Sequence, residues 1–302
     1  MSYLLYKIMY GSIRIITLLP FRYLLPFSSI FYFFIYYIFP YRKKIVRKNL
    51  KNSFPEWNKK KVKQVMKKFY MHLCTGFIES LYSGKFTIDD FQLRYKVINP
   101  ELCNEYFKQG KSISLMMAHY ANWEWAATLQ VYLKHQILPI YKPLHNPYID
   151  RKVKHDRERF GCKTVPQEKI LRKLIDYESE KKPTITYFLA DQRPLMAKIQ
   201  YWTTFLNQDT PVVMGPEKIA RKFKHAVVFL KVVPVGKSIY EVEFVPMFDD
   251  ASEEKEYAII EKYHEILENL IREKPEYWLW THNRWKHKIE NYYKLRKNKV
   301  VQ

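Results

Sequence analysis

The pattern of apolar and polar positions separates a short first part of the chain from a long second part. Residues 23–41 (YLLPFSSIFYFFIYYIFPY) carry no charge and are about as long as a bilayer crossing requires. We read them as a membrane-anchoring segment that either spans the bilayer or lies in one leaflet. An aromatic core helix is the alternative, since Pro26, Ser28 and Ser29 interrupt the run. No small-residue cleavage site follows, so removal as a signal peptide is not expected. Beyond it, the pattern predicts helices over 44–82, broken once at Phe54-Pro55-Glu56. The apolar run at 113–118 predicts a buried strand, and a helical pattern ends near Leu133. A second apolar run covers 137–142, helices are predicted over 148–160 and 168–178, and a strand over 183–190. A helix at 215–224 precedes two strands, 226–235 and 239–246, about Gly236. The second alternates, with Tyr240, Val242 and Phe244 on one face and Glu241 and Glu243 on the other. Two helices, 252–273 and 275–287, close the chain. Strands alternating with helices predict an α/β fold, a mixed sheet flanked by helices, behind an N-terminal membrane-anchoring helical segment. The division is an anchor at 1–43 and one folded domain at 44–302, with no internal repeat.

Charge changes this picture. The 302 residues carry a formal net charge of +22, and 17% are aromatic. Basic and aromatic residues together suit single-stranded nucleic acid, and they suit a membrane interface equally well. Position decides between them. Twelve Lys or Arg and one acid, Glu56, lie between Arg42 and Lys68, whereas only Lys7, Arg14 and Arg22 precede the apolar segment. This bias places the bulk of the chain on the cytoplasmic side, with basic residues beside anionic headgroups. No zinc-finger or RNA-recognition signature accompanies it, so nucleic acid is not the expected partner. Cys74, Cys103 and Cys162 are far apart and odd in number, which supports neither a metal site nor a disulfide framework. They read as small core residues in a reducing compartment.

The chemistry points to His119 and Glu124. Five residues apart, they do not share a helix face. They meet if His119 ends a strand and Glu124 lies in the following helical turn, with Asn122 as its N-cap. Polar groups then gather at the carboxyl end of a strand, where α/β folds place ligands. A neutral imidazole there can take the proton of an attacking alcohol, while a carboxylate on its other nitrogen fixes the tautomer and stabilises the imidazolium. By spacing alone the pair is a weak signal that arises often by chance, and a partly buried histidine beside whatever carboxylate lies near is the better account.

Five blocks in order narrow this. They are Asn49-Leu50 with Phe54-Pro55-Glu56; His119-Tyr120-Ala121-Asn122-Trp123-Glu124; Lys142-Pro143-Leu144 with Asn146-Pro147 and Asp150; Asp191-Gln192-Arg193; and Trp280-Thr281-His282-Asn283-Arg284-Trp285-Lys286. Together the chain resembles the late acyltransferases of lipid A biosynthesis, the lauroyl/myristoyl branch of the lysophospholipid acyltransferase superfamily. The resemblance implies transfer of an acyl chain from acyl carrier protein, less often coenzyme A, to a hydroxyl of a lipid A precursor. It implies the cytoplasmic face of the inner membrane, no metal and no cofactor. It makes His119 the general base, Glu124 its partner, and Arg193 a contact for phosphate or the transition state. The chain departs from the family where an aromatic-aromatic-Gly turn is usual: it has Phe205-Leu206-Asn207, and Asn tolerates positive φ.

Lys142, Arg151 and Arg193 are further candidates for substrate phosphates, because such side chains recognise them well. Asp191 either holds Arg193 or caps a turn. Trp278, Trp280 and Trp285, with His282, Arg284 and Lys286, fall in the predicted last helix, and the Trp residues read first as core. The basic tail from Lys286 to Lys299 suits a membrane, the acidic carrier protein, or solvent. Alternatives to a lipid A acceptor are another glycolipid, a glycerolipid or an amino-acid lipid. A non-catalytic membrane-anchored protein that binds nucleic acid or lipid is the remote alternative.

Overall fold

A computed structural model describes residues 3–293; Lys294, Arg296, Lys297 and Lys299 of the basic tail lie outside them. The helices are α1 (Tyr3–Ile16), α2 (Phe21–Leu24), α3 (Phe27–Phe33), α4 (Lys43–Ser53), α5 (Lys59–Ser83), α6 (Ile88–Arg94), α7 (Pro100–Lys108), α8 (Pro147–Glu158), α9 (Ile170–Ser179), α10 (Gly215–Lys222) and α11 (Ala258–Glu273). The strands are β1 (Tyr95–Val97), β2 (Ile113–Met117), β3 (Gln136–Tyr141), β4 (Val165–Pro166), β5 (Thr184–Leu189), β6 (Trp202–Phe205), β7 (Gln208–Pro211), β8 (Ala226–Gly236) and β9 (Ile239–Phe248). One sheet runs in the order β1-β9-β8-β2-β5-β3-β4, and β6 pairs with β7 in a separate hairpin. β2 pairs in parallel with both β5 and β8, β3 is parallel to β5, and β9 is antiparallel to β8. The sheet is therefore mixed and flanked by helices, as expected.

Sequence explains the centre directly. Every residue of β2 is buried, as a mostly apolar run in the middle of a covered sheet requires, and its one polar residue, Ser114, is satisfied by His225 Nδ1 at 3.0 Å. In β9 the expected alternation holds, with Tyr240, Val242 and Phe244 buried. All three cysteines are buried.

The apolar N-terminal run is not one straight helix. Pro26 separates α2 from α3, and α3 widens into a π-helical turn, Phe34–Ile38. Together Phe21–Ile38 is, among the described residues, the one helical stretch long and apolar enough to cross a membrane. Phe27, Ile30, Phe33, Phe34, Tyr37 and Ile38 are exposed along it. Its other face lies on α5, where Phe31 stacks on Phe77 (4.9 Å between ring centres) and Tyr36 meets Tyr70 edge-on (5.4 Å).

Three expected elements differ. The helix expected after residue 124 is a 3-10 helix, Glu124–Val131. The helix expected over 252–273 begins only at Ala258. The closing helix over 275–287 does not form: a 3-10 turn, Pro275–Tyr277, leads into an extended segment in which Trp278 bridges Tyr120. The backbone there is committed elsewhere, because Tyr277 O accepts from Ala121 N (2.9 Å) and Leu279 N donates to His119 O (3.0 Å). The tryptophans fill the core instead of lining a helix: Trp278 and Trp280 are almost wholly buried. In the β6–β7 hairpin, Leu206 (φ 50) and Asn207 (φ 60) both take positive φ, the two-residue turn that matches strand twist. The turn therefore survives without glycine.

Candidate active site

The site grows from strand register. β2 and β5 run parallel with Met117 opposite Leu189. Two residues further along each strand, that register brings His119 beside Asp191. His119 Nδ1 lies 2.6 Å from Asp191 Oδ1. The other carboxylate oxygen, Oδ2, accepts from His119 N and from Trp278 Nε1, each at 2.9 Å. Three N–H groups thus converge on one carboxylate whose side chain is 2% exposed. Burial alone raises the pKa of Asp191, but the imidazole and the N–H donors outweigh it and hold the carboxyl below its ordinary value. For His119, burial opposes the charged ring. Asp191 outweighs that opposition, Glu124 adds a smaller share, and the pKa rises above the ordinary histidine value.

The expected partnership of His119 with Glu124 is therefore corrected. Asp191 is the carboxylate bonded to the ring, and Glu124 Oε2 instead accepts from Arg157 Nη2 of α8 at 2.8 Å. The cause is local geometry. Asn122 Oδ1 receives Trp125 N (3.2 Å), a cap-like bond that starts the 3-10 helix, and Glu124 then faces the cleft, 40% exposed. Asp191 was expected to hold Arg193 or cap a turn. Arg193 instead donates from Nη1 to Asn283 O (3.0 Å) and from its backbone N to His282 Nε2 (3.3 Å). Burial, assisted by Arg193, takes His282 down to about 4, so its neutral ring can accept that bond.

The loop carrying His119 is held on several sides. Ala121 sits at φ 53, a conformation that residues with a Cβ rarely adopt. Its backbone is pinned by the extended segment after α11. Asn122 Nδ2 donates to Glu79 Oε2 (2.7 Å), and Tyr240 OH donates to both oxygens of the same carboxylate (2.9 and 3.0 Å). Glu79 is fully buried on α5; burial raises its pKa while these donors oppose the rise. Gln192, next to Asp191, places its side-chain nitrogen 3.2 Å from His119 Nε2. Arg284 is buried nearby and donates to Pro211 O (2.7 Å); burial pushes its guanidinium down to about 10, against the pull of Asp191.

A cleft of about 520 Å³ opens over this centre, lined by His119, Glu124, Tyr141, Lys142, Arg157 and Leu189. Lys142, exposed just past the carboxyl end of β3, belongs to this wall. Arg193 is not among the lining residues, and Arg151 is an exposed position of α8. Behind Trp123 and Glu124 lies an apolar cleft of about 260 Å³, bounded by Phe69, Leu73, Phe77 and Leu279. A third cleft, about 520 Å³, shares Tyr141, Lys142 and Leu189 with the first and continues between Leu171 and Ile219.

Sequence reading missed Arg157, Glu79 and Gln192. Arg157 was one of many charges in the helix predicted over 148–160. Glu79 did carry a signal, being the only acid in α5. Chemically, the centre offers an imidazole whose Nδ1 faces a buried carboxylate, an Nε2 beside the Gln192 amide, and three cations in the wall, Lys142, Arg157 and Arg159. Residues 1–287 match the family described as bacterial lipid A biosynthesis acyltransferase. No curated protein matches the chain.

Proposed function

From the premise that the chain belongs to the bacterial lipid A biosynthesis acyltransferases, we propose that it moves a fatty acyl chain from acyl carrier protein to a hydroxyl of a lipid A precursor. The observation that carries the mechanism is the buried His119–Asp191 pair at two adjacent strand ends, open to a cleft through Nε2. His119 Nε2 takes the proton of the acceptor hydroxyl as its oxygen attacks the thioester carbonyl. Asp191 keeps the ring proton on Nδ1 and stabilises the imidazolium. The new C–O bond forms, the C–S bond breaks, and the departing sulfur receives the proton from Nε2. No acyl-enzyme is required. Arg157, oriented by Glu124, supplies positive charge where the carbonyl oxygen or an acceptor phosphate becomes negative. Glu124 thus acts on both sides, holding Arg157 and adding to the field at His119. Lys142 extends the positive wall. The apolar clefts on either side suit hydrocarbon chains.

The exposed aromatic face of Phe21–Ile38 and the basic run that follows support a site at the cytoplasmic face of the inner membrane. The test incubates detergent-solubilised wild type and His119→Ala with acyl carrier protein carrying mixed chains and an under-acylated lipid A precursor, and weighs the lipid. One added acyl chain with wild type and none with the variant is expected. Addition by both removes His119 from its role. Addition by neither, with a glycerolipid accepted instead, changes the acceptor.

A further inference from the structure

The nitrogen of His119 that faces the cleft is already engaged. Asp191 accepts three N–H groups, so the short contact at Nδ1 requires a proton there. In the neutral ring Nε2 is then a lone pair, and the neighbour at 3.2 Å is the Gln192 amide nitrogen, a donor. Gln192 immediately follows Asp191, so one short turn after β5 supplies the groups on both ring nitrogens.

We propose that Gln192 is a positioning residue for His119: its amide donates to Nε2, holds the ring aimed into the cleft with that nitrogen unprotonated, and yields the position to the acceptor hydroxyl. The inference rests on the reading of His119 as the base, and it adds a competitor that this reading lacks. Two consequences follow. The acceptor must displace an existing hydrogen bond, which weakens its binding. A donor on Nε2 also favours the neutral ring over the imidazolium, so it moderates the basicity that Asp191 confers. Of the other charged or titratable groups near the ring, Asp191 lies in the turn just after β5, Glu124 starts the 3-10 helix, and His282, Arg193 and Arg284 come from the C-terminal loop or that same turn. Substituting Gln192 changes none of them.

The experiment compares full-length wild type, Gln192→Ala, Gln192→Asn and Gln192→Glu. The His119 ring is titrated by nitrogen NMR, and the pH profile and acceptor KM of acyl transfer are measured beside it, with His119→Ala as control. Losing the donor in Gln192→Ala raises the His119 pKa by about half a unit to one unit. Gln192→Asn, one methylene too short, behaves like it. Gln192→Glu, which can only accept, raises the pKa further. The acceptor KM of Gln192→Ala falls a few-fold while the acid limb of the profile moves up. Coincident titrations of wild type and Gln192→Ala overturn the inference, as does a uniformly lowered rate with an unmoved profile, which a structural role produces. Activity surviving in His119→Ala defeats the base reading instead, and the NMR titration still decides whether Gln192 holds the ring.

Discussion

Replacing Asp191 by Asn tests the centre most sharply, because the two side chains have one shape and differ in what they can accept. Oδ1 faces a single donor, His119 Nδ1, whereas Oδ2 faces two, His119 N and Trp278 Nε1. An Asn has one oxygen to place. Turned toward Nδ1, it sets its NH2 against a backbone N–H and an indole N–H, neither of which can give up its proton. Leaving such buried donors unpaired costs about 1–3 kcal/mol each. Turned the other way, it satisfies both and presents NH2 to Nδ1. The second orientation wins, and the ring answers by moving its proton to Nε2. The nitrogen that faces the cleft then has no lone pair, and the carboxylate that favoured the imidazolium is gone. The expected loss in transfer rate is roughly 10³–10⁴-fold, about 4–5.5 kcal/mol of barrier.

Single-turnover transfer followed by mass spectrometry measures the rate. Nitrogen NMR of the ring identifies the tautomer, and circular dichroism with thermal melting establishes that the variant is folded. A folded Asp191→Asn protein that keeps more than about a tenth of the wild-type rate refutes the reasoning, since a tautomer shift of this kind costs far more. A large loss with the proton still on Nδ1 also counts against it, because the cause would then lie outside the tautomer.

Other perturbations separate stability from chemistry. Glu124→Ala removes a partly exposed ion pair with Arg157, so stability should change by less than about 1 kcal/mol, while transfer falls at least about tenfold; unchanged transfer would leave Glu124 and Arg157 no part in the reaction. Glu79→Ala strands Asn122 Nδ2 and Tyr240 OH in the interior, and urea unfolding should show a loss of about 2–4 kcal/mol, largely recovered by Glu79→Gln. His135, His225 and His264 are held by burial at about 4, 4 and 3. Their folded pKa values lie below the unfolded one, so the unfolded chain binds more protons as pH falls through about 6.5. Stability is complete above that pH and declines below it, by about 1–2 kcal/mol per histidine between pH 7 and 5; equal urea midpoints at the two values would contradict this. Replacing both Ile30 and Phe34 by Lys should release the protein from washed membranes, since each charge in the bilayer core costs about 2.5–3.5 kcal/mol, and retention would argue against that face as the anchor.

Much of this architecture was legible, and the parts that were not share a cause. The sheet's apolar runs, the alternation of β9 and the place of His119 at a strand end all follow from local periodicity. So does the positive φ of Asn207. The partner of His119 does not, because it depends on which strand lies beside β2 and in what register, and neither is a local property. Glu124, five residues away in sequence, drew the pairing that Asp191 makes across the sheet. The segment after α11 was misread for the same reason. Its Trp and His spacing is compatible with a helix, but its backbone pairs with the loop 119–121, a contact between residues far apart in the chain. Arg157 was obscured in another way: among the charges of α8, only the fold reveals which one faces Glu124.

The position of Glu79 links the apolar N-terminal segment to the His119 loop. α5 carries Phe77, stacked on Phe31 of the apolar segment, and two residues later Glu79, which clasps Asn122. One helix thus contacts both the His119 loop and the apolar segment. The strained Ala121 and the pinned backbone on its far side complete the hold, so the loop is gripped between α5 and the segment after α11. An enzyme whose lipid substrate is embedded in the bilayer must bring its base to a set depth, since the acceptor hydroxyl cannot travel far from the headgroup layer. Under the proposed function, the basic start of α5 suits the headgroups, its aromatic middle carries the apolar segment, and its buried end holds the His119 loop. A flexible connection between the apolar segment and the loop would leave that depth to chance, whereas a single helix fixes the spacing between them.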